Sequence, residues 1–458
     1  MAVATSASNE TIVARATPPG RGGIAVTRIS GSAVPDIAAK LLRRLPEPRL
    51  ATLSAFLDSS GCPIDSGIVL YFPAPHSFTG EDVLELQGHG GSIVNELLIE
   101  RIIELGARLA HPGEFSRRAF LNDKLDLSQA EAIADLIDSG SRSAARAAQR
   151  SLQGKFSEAV LALNQKVTEL RKHVEAAIDF PEEEIDFLTD DSLIEHLAEV
   201  ESEFDRLDRA VRQGCLLRDG VHVVLAGRPN AGKSSLLNAL AGYDAAIVTE
   251  TPGTTRDLVR EHIEIDGLPI HVVDTAGLRD ADEEVEQQGV SRARQQISIA
   301  DHALLIIDAS QETSGEVDEL VRQLPEKLGY TVVRNKVDLT GEPAGLVAGE
   351  TRCVNVSALT SAGLDALRQQ IKQTVGFESE REGTITARQR HLAALRKARE
   401  YFVRGRQQLL EHRAGELMAE EMLQVQNALA EITGEFTSDD LLGEIRTLKQ
   451  LLDLIAAK

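Results

Sequence analysis

The sequence predicts a multidomain fold that combines a small α+β N-terminal domain, an all-α helical domain and an inserted, doubly wound α/β domain with a mostly parallel sheet. Three observations predict it. Short apolar runs alternate with helical patterns between residues 216 and 379. Helical periodicity dominates on both sides of this region, over 121–215 and 380–458. Residues 1–120 instead mix strand-like runs, Gly/Pro turns and two helical segments.

Composition limits the partners of the chain. A length of 458 residues exceeds what one core supports, so about three domains are expected. The net charge of -22 argues against a broad nucleic-acid-coating surface, so any RNA contact should be a local basic patch or be shared with a partner. A solvated helix face is the alternative that we favour for the best such cluster. Its members are Arg388, Arg390, His391, Arg396, Lys397 and Arg399.

The location is predicted from what the sequence does not contain. The first ten residues have neither a basic start nor an apolar core, so they do not read as a signal peptide. No apolar run reaches membrane-spanning length, and no membrane association is expected. The cysteines Cys62, Cys215 and Cys353 form neither a metal-ligand spacing nor a disulfide framework. We therefore expect a cytoplasmic protein.

Within the N-terminal domain, strand-like runs and two helical patterns alternate with turns. We expect Gly88–Gly91 to open the second helix. The predicted strands are Ile12–Ala14, Ile24–Ile29, Gly67–Phe72 and Asp82–Gln87, and the predicted helices are Val34–Leu42 and Ser92–Glu104.

The helical domain is predicted to begin with a capping box, Ser128-Gln129-Ala130-Glu131. Gly140 and Gly154 are expected to break or bend its helices. Helical periodicity then runs through 156–174 and 194–207, with a break near 178–184. Long amphipathic helices return from Thr386 to Lys458.

The inserted domain carries five predicted strands of the parallel type, most of them separated by helical patterns. They are Val221–Ala226, Leu268–Asp274, His302–Asp308, Thr331–Asn335 and Arg352–Asn355.

A phosphate-binding loop follows the first of these strands. Residues 227–234 read Gly-Arg-Pro-Asn-Ala-Gly-Lys-Ser, between a strand and a helix. Glycines let consecutive amides turn toward phosphate oxygens, and the helix start adds a positive dipole. Lys233 can reach the terminal phosphates, and the Ser234 hydroxyl can ligate Mg²⁺.

Four shorter motifs follow in the order of a guanine-nucleotide switch. Thr254 and Thr255 lie in a Gly/Pro loop, where a threonine can close on Mg²⁺ and the γ-phosphate. Asp274-Thr275-Ala276-Gly277 ends a strand and can hold the Mg²⁺ shell. Asn335-Lys336-Val337-Asp338 ends another, and an Asp carboxylate there can accept two hydrogen bonds from guanine, which favours GTP over ATP. Ser357-Ala358 completes the base pocket. The domain therefore resembles the P-loop GTPases related to translation factors.

The residue that follows Asp274-Thr275-Ala276-Gly277 is Leu278, which cannot orient the attacking water as a glutamine can. Arg256 and Arg279 are available as arginine fingers, with neither assigned by the pattern. A solvated acidic loop is the alternative interpretation of the carboxylates that follow. Those candidates are Asp280, Asp282, Glu283, Glu284 and Glu286.

Further strings resemble the MnmE (TrmE) family of tRNA-modification GTPases along almost the whole chain. They are residues 18–23 (PPGRGG), 77–82 (SFTGED), 87–91 (QGHGG), 112–115 (PGEF), 120–126 (FLNDKLD) and 432–443 (ITGEFTSDDLLG).

The resemblance implies an activity and its partners. The family works as a homodimer with a FAD-dependent partner protein, a heterotetramer being expected, and modifies carbon 5 of the wobble uridine of certain tRNAs. The addition is of the aminomethyl or carboxymethylaminomethyl type. The one-carbon donor is of the 5-formyl-tetrahydrofolate type. By motif match, Arg28, Glu85 and Lys124 line the folate pocket, although a surface charge is an open alternative for Arg28.

The resemblance also implies K⁺-dependent GTP hydrolysis. Asn230, Thr249, Thr251 and Thr254 would bind K⁺, Ser234 and Thr255 would bind Mg²⁺, and Glu286 would be the catalytic residue that acts on the water. The full nucleotide-binding set that it implies is Asn230, Ala231, Gly232, Lys233, Ser234, Ser235, Thr249, Glu250, Thr251, Pro252, Gly253, Thr254, Thr255, Asp274, Thr275, Ala276, Gly277, Asn335, Lys336, Val337, Asp338, Ser357, Ala358 and Leu359.

The C-terminal end departs from the family pattern, Cys-x-Gly-Lys. Lys458 is the possible counterpart of the family's terminal folate-facing lysine, but the surrounding motif is absent and the last cysteine is Cys353. Two alternative functions therefore stay open. One is a ribosome-assembly GTPase that binds rRNA, and the other is a nucleotide-gated scaffold that no longer modifies tRNA.

Overall fold

The structure is a computed structural model that describes residues 10–179, 191–241, 260–274, 300–313, 315–326, 328–378 and 383–434. The described chain divides into two compact units. The first comprises residues 10–134 with 430–434, and the second comprises 135–429. Among the described helices, none combines the length and apolarity needed to cross a membrane.

The first unit is built on a six-stranded sheet in the order β3-β4-β5-β2-β1-β6. Neighbouring strands are antiparallel except β1 and β6. The strands are β1 (Ile12–Arg15), β2 (Gly22–Ser30), β3 (Thr52–Leu57), β4 (Pro63–Phe72), β5 (Val83–Gly90) and β6 (Arg108–Leu109). The helices that begin in it are α1 (Val34–Leu42), α2 (Ser92–Glu104), α3 (Glu114–Leu121) and α4 (Leu127–Ile137).

One face of this sheet packs against α1 and α2. Ile29 of β2 and Leu84 of β5 are fully buried with Leu41 of α1 and Ile102 of α2. Because side chains alternate between the faces of a strand, the neighbouring Arg28 and its partner on β5 project from the opposite face. The sequence pattern thus places a polar pair on the face that lacks these helices.

Both helices predicted for this domain are confirmed with the predicted bounds. The prediction that Gly88–Gly91 opens α2 is wrong for the first three of these residues. They complete β5, because the ladder to β2 continues as far as Gly90, opposite Gly22. A Cβ on Gly90 would lie 2.3 Å from the Gly22 carbonyl oxygen. These glycines therefore permit close strand pairing.

The cap of α4 also lies two residues earlier than predicted. The Gln129 amide donates to Asp126 Oδ1 at 2.8 Å, and the Asp126 amide donates to Gln129 Oε1 at 3.0 Å. Asp126 and Gln129 form the reciprocal capping box, and Ser128 lies inside the helix. Both pairs have the required spacing, so the pattern alone did not distinguish them.

The second unit contains a set of long helices. The helix breaks predicted at Gly140 and Gly154 are confirmed, and Gly154 has a φ of 85°. The predicted break at 178–184 lies mostly outside the described residues. The helices are α5 (Arg142–Leu152), α6 (Lys155–Asp179), α7 (Asp191–Asp219), α12 (Gln389–His412) and α13 (Gly415–Thr433).

Between α7 and α12 lies a seven-stranded sheet in the order β12-β13-β11-β10-β7-β9-β8. Its five inner strands are parallel, as predicted, and two antiparallel strands that the sequence analysis missed, β8 and β12, form the edges. The strands are β7 (Val221–Ala226), β8 (Arg260–Ile265), β9 (Leu268–Asp274), β10 (His302–Asp308), β11 (Gly329–Asn335), β12 (Gly345–Leu346) and β13 (Cys353–Asn355). The accompanying helices are α8 (Lys233–Ala241), α9 (Glu316–Arg322), α10 (Val337–Thr340) and α11 (Leu364–Val375).

Candidate functional site

The candidate site lies at the carboxyl ends of the parallel strands β7, β10 and β11. In the sheet, β7 lies between β9 on one side and β10, the next strand of the chain after β9, on the other side. Ligands of doubly wound sheets bind outside the strand ends at such a switch point. The loops after β7, β11 and β13 carry most of the predicted site residues that the structure describes.

The loop from Gly227 to Ser234 has the backbone of a phosphate cradle. Asn230 and Gly232 have φ angles of 66° and 94°. A Cβ on Gly227 would lie 2.2 Å from the Ile306 carbonyl oxygen of β10. This position therefore requires glycine because the loop crosses the neighbouring strand in contact.

Lys233, the first residue of α8, folds back over this loop. Its Nζ donates to the carbonyl oxygens of Gly227 at 3.0 Å and Arg228 at 3.3 Å. The ammonium is therefore held against the backbone of the loop by these two carbonyl groups. The side chains of Ser234, Ser235 and Asn230 are exposed at the same loop.

Asn335 joins the phosphate loop to the predicted base pocket. Its buried side-chain Nδ2 donates to the Ala231 carbonyl oxygen at 2.9 Å. Its Oδ1 accepts a hydrogen bond from the Ala358 amide at 3.1 Å. One amide group thus connects loops that follow three different strands.

The remaining base-pocket candidates surround Asn335. Lys336 precedes α10, Val337 is buried, and the Asp338 carboxylate is exposed in the first turn of that helix. The Ser357 amide donates to the Ala362 carbonyl oxygen, which closes the loop after β13. Leu359 in this loop is an apolar side chain that is 86% exposed.

Several predicted residues cannot be placed. Thr249, Glu250, Thr251, Pro252, Gly253, Thr254, Thr255, Thr275, Ala276, Gly277, Glu286 and Lys458 lie outside the described residues. Asp274 is the last residue of β9, and its side chain is not described. Their roles stay predictions.

The motif analysis missed two ion pairs beside the site. The Asp308 carboxylate at the end of β10 accepts a hydrogen bond from Lys336 Nζ at 2.6 Å. Arg228 of the phosphate loop lies 3.4 Å from Glu316, a buried residue at the start of α9. Asp308 could have been found as a carboxylate at a parallel strand end, whereas nothing in the sequence connects Arg228 to Glu316.

In the first unit, the candidate folate residues Arg28 and Glu85 form an ion pair across β2 and β5. The Arg28 Nε to Glu85 Oε1 distance is 2.8 Å, and the two residues are cross-strand partners. The Arg28 guanidinium lies 5.3 Å from the ring centroid of Phe78 and 5.8 Å from that of Phe115. Lys124 is exposed, and its stem packs against Gly80. A cation, a carboxylate and two aromatic rings therefore converge on the open face of the sheet.

A buried ionic network supports this face. Glu114 of α3 accepts hydrogen bonds from Arg108 at 2.6 Å and Arg118 at 3.0 Å. Arg118 also contacts both carboxylate oxygens of Glu81. Burial raises the pKa of Glu114, but the hydrogen bonds from Arg108, the His111 amide and Arg118 outweigh this effect and lower the pKa to about 2. Arg118 thus joins the 77–82 loop to α3 through Glu81 and Glu114.

The basic cluster of the second unit is not a continuous patch. His391 is buried, Arg388 pairs with Asp135, and Arg399 pairs with Asp205. The preferred interpretation of a solvated helix face is wrong for His391, which turns inward because it closes the N-terminal turn of α12 through the Arg388 amide. We assign no RNA contact to this cluster.

Two family models match most of the chain. The MnmE helical domain model matches residues 127–445, and the model described as the N-terminus of the GTP-binding protein TrmE matches residues 11–124. Together they span both the sheet of the first unit and the helices that flank the second sheet.

Solved structures similar to this chain cover a smaller part of it. The G domain of the T. maritima FeoB iron transporter is 23% identical and covers 34% of this chain and 98% of its own length. A point variant of Aquifex aeolicus Era bound to GDP.AlF4- is 28% identical and covers 40% of this chain and 66% of its own length. A GTP-binding protein from Sulfolobus solfataricus in complex with GDP is 16% identical and covers 62% of this chain and 77% of its own length. Each has a TM-score of 0.26.

Proposed function

This chain belongs to the MnmE (TrmE) family, and from that premise we propose a K⁺-dependent cycle of GTP hydrolysis that drives wobble-uridine modification with a folate one-carbon donor and a flavoprotein partner. The family establishes the coarser statement, that the protein is a GTP-hydrolysing enzyme of tRNA wobble-uridine modification. The observation that carries the proposal is the continuous site in which Asn335 ties the phosphate loop to the predicted guanine pocket.

GTP binding follows from what each group offers. The loop amides and the Lys233 ammonium, which lies against the loop backbone, are the groups that can bind phosphates, and the exposed Asp338 carboxylate can accept the two edge donors of guanine. Mg²⁺ neutralises charge on the β- and γ-phosphates when bound. The exposed Ser234 hydroxyl fits a magnesium ligand, and we assign Thr255 as the second. We assign Glu286 to orientation of the attacking water.

We assign K⁺ to a site beside the phosphates that includes Asn230. The exposed side chain of Asn230 at a left-handed position in the loop fits this role, because its oxygen can reach a cation next to the cradle. Thr249, Thr251 and Thr254 are the other proposed ligands. A cation there supplies the positive charge that an arginine finger supplies elsewhere.

The folate assignment is supported by the group around Arg28. A tetrahydrofolate offers a ring edge with donors for a carboxylate, ring faces for aromatic side chains and an acidic tail for cations. Glu85, the rings of Phe78 and Phe115, and the cations of Arg28 and Lys124 match these three features. Lys458 is assigned only by its place in the family pattern.

The partners are assigned from the family. We propose a homodimer that joins a FAD-dependent protein, giving a heterotetramer in the cytoplasm, where tRNA is the substrate. The match of the TrmE N-terminus over residues 11–124 favours this function over ribosome assembly.

The test is a modification assay with the purified protein, the candidate flavoprotein and one defined tRNA. We expect modified wobble uridine with GTP and a folate donor, and none with a non-hydrolysable GTP analogue. Glu286→Ala should retain GTP binding and lose most turnover and modification. GTP hydrolysis without any modified uridine would support the scaffold alternative. Unchanged turnover in Glu286→Ala would remove this residue from the mechanism.

A further inference from the structure

A carboxylate outside every nucleotide-binding motif lies at the end of β10. Asp308 Oδ1 accepts hydrogen bonds from the Ser310 amide at 3.0 Å and the Ser310 hydroxyl at 2.6 Å. Its Oδ2 accepts from Lys336 Nζ at 2.6 Å. Burial raises the pKa of Asp308, but Lys336 and Ser310 outweigh it and hold the pKa below its usual value. Asp308 is therefore a fixed anion with both oxygens engaged.

The lysine that Asp308 holds belongs to the base pocket. Asp308 and Asn335 are partners in the parallel ladder, and the Ala309 amide donates to the Asn335 carbonyl oxygen at 2.9 Å. Lys336 follows with a φ of 66°, and its Cε lies 4.0 Å from the position of a Cβ on Gly232. The lysine stem thus runs past the phosphate loop, two residues before Asp338, with its ammonium tied to the neighbouring strand.

We propose that Asp308 is a positioning residue for the purine ring. By holding the ammonium, it orders the four-carbon stem of Lys336 as an apolar wall for one face of the base. Lysine stems commonly present such apolar surface while the charged end is satisfied elsewhere. Because this flexible side chain is already ordered before the nucleotide binds, less conformational entropy is lost on binding. The inference rests on GTP binding and not on the K⁺, folate or tRNA assignments.

A contact with the ring face of the base affects all purines alike, whereas a contact with the edge distinguishes them. Asp338 is placed to read the base edge, so its loss should change the preference among purines. Asp308 acts through the ring face, which guanine and hypoxanthine share. Loss of Asp308 should therefore weaken the binding of GDP and of inosine diphosphate by the same factor and leave the preference between them unchanged.

The experiment is a double-mutant cycle on the full-length protein, with GDP and inosine diphosphate affinities measured by titration calorimetry. Asp308→Asn should weaken both ligands about tenfold, the loss of one charge-assisted hydrogen bond at a partly buried site. In a Lys336→Met background the same change should alter affinity less than about twofold, because its effect passes through Lys336. Asp301→Asn is the matched control, since Asp301 caps the other end of β10 through the His222 amide, and it should leave both affinities unchanged.

Three results would overturn the proposal. They are an unchanged affinity in Asp308→Asn, an equal loss with and without Lys336, and a loss confined to GDP. If Asp308→Asn fails to fold, Ser310→Ala tests the same arrangement. It should weaken both ligands about twofold to threefold in the wild-type background and not in Lys336→Met, and an equal loss in the two backgrounds would again contradict the role. Wild-type binding of GDP is the control that separates these results from failure of the site as a whole.

Discussion

The side chain of Asn335 donates to the carbonyl oxygen of Ala231, 104 positions earlier in the chain, at 2.9 Å. Because Asn335 is buried and its side-chain oxygen accepts from the Ala358 amide, its loss would remove the partner of the buried Ala231 carbonyl oxygen and of the half-buried Ala358 amide. The phosphate loop and the base loop therefore depend on one side chain for their relative position.

Asn335→Ala should lower the free energy of unfolding by roughly 2–4 kcal/mol and weaken GDP binding by more than about tenfold. Asn355→Ala is a matched control. Asn355 is also a buried asparagine at a strand end, but it donates to Glu342 and to the Pro343 carbonyl oxygen, away from the phosphate loop. Asn355→Ala should lower the free energy of unfolding without weakening the binding of GDP. Denaturant unfolding and calorimetric titration measure both quantities, and equal loss of affinity in the two variants would contradict the account.

Gly232→Ala should abolish tight nucleotide binding. The backbone there has a φ of 94°, and a Cβ would lie 2.3 Å from Asn335 Nδ2. Gly349→Ala is the control, because Gly349 has a similar φ of 84° with nothing within 4 Å of the added atom. Both changes should strain the backbone by about 1–2 kcal/mol, and only the first should displace Asn335. Retained GDP affinity in Gly232→Ala would show that the loop adapts.

Asp338→Asn should relax the preference for guanine. An asparagine replaces one carboxylate oxygen, an acceptor, by an NH2 group, a donor, so the variant loses one contact with guanine and gains one with the 2-carbonyl of xanthine. Competition between GDP and xanthosine diphosphate measures the change. A variant that remains fully selective for GDP would exclude Asp338 from base reading.

The Glu114 network predicts loss of stability in acid. The folded-state pKa of about 2 lies below the ordinary pKa of a glutamate, 4.5. The stabilisation is therefore fully present above pH 4.5, and it is lost as pH falls from 4.5 toward 2. Glu114→Gln should destabilise the first unit by about 3 kcal/mol at neutral pH and flatten the decline between pH 4.5 and 2. Denaturant midpoints measured across this range test it, and an unchanged slope would contradict the assignment.

Much of this architecture could be predicted because the signals are local. The five parallel strands, the helices α1 and α2 and the phosphate loop each depend on apolar periodicity and neighbouring turn residues. The edge strand β12 has two residues, too few for any pattern, and β8 is an edge strand whose partner among the described strands is β9. The cap of α4 was misplaced because Asp126/Gln129 and Ser128/Glu131 share the same spacing.

The motifs of the site could be predicted from the sequence, but the contacts between their side chains could not. The spacing of Asn335, Lys336 and Asp338 indicated a base pocket. It did not show that Asn335 holds the phosphate loop or that Lys336 is held by Asp308, since both contacts join residues far apart in sequence. The contacts of Arg28 with Phe78 and Phe115 could not be predicted for the same reason, because these residues also lie far apart in sequence.

The most direct test of the proposed cycle is the rate of GTP hydrolysis at equal concentrations of KCl and NaCl, for the wild type and Asn230→Ala. We predict that the wild type is much faster in K⁺, and that Asn230→Ala retains GDP binding but loses the difference between the two salts. Equal wild-type rates in K⁺ and Na⁺, or full K⁺ stimulation in Asn230→Ala, would contradict the proposed role of a cation beside the phosphates.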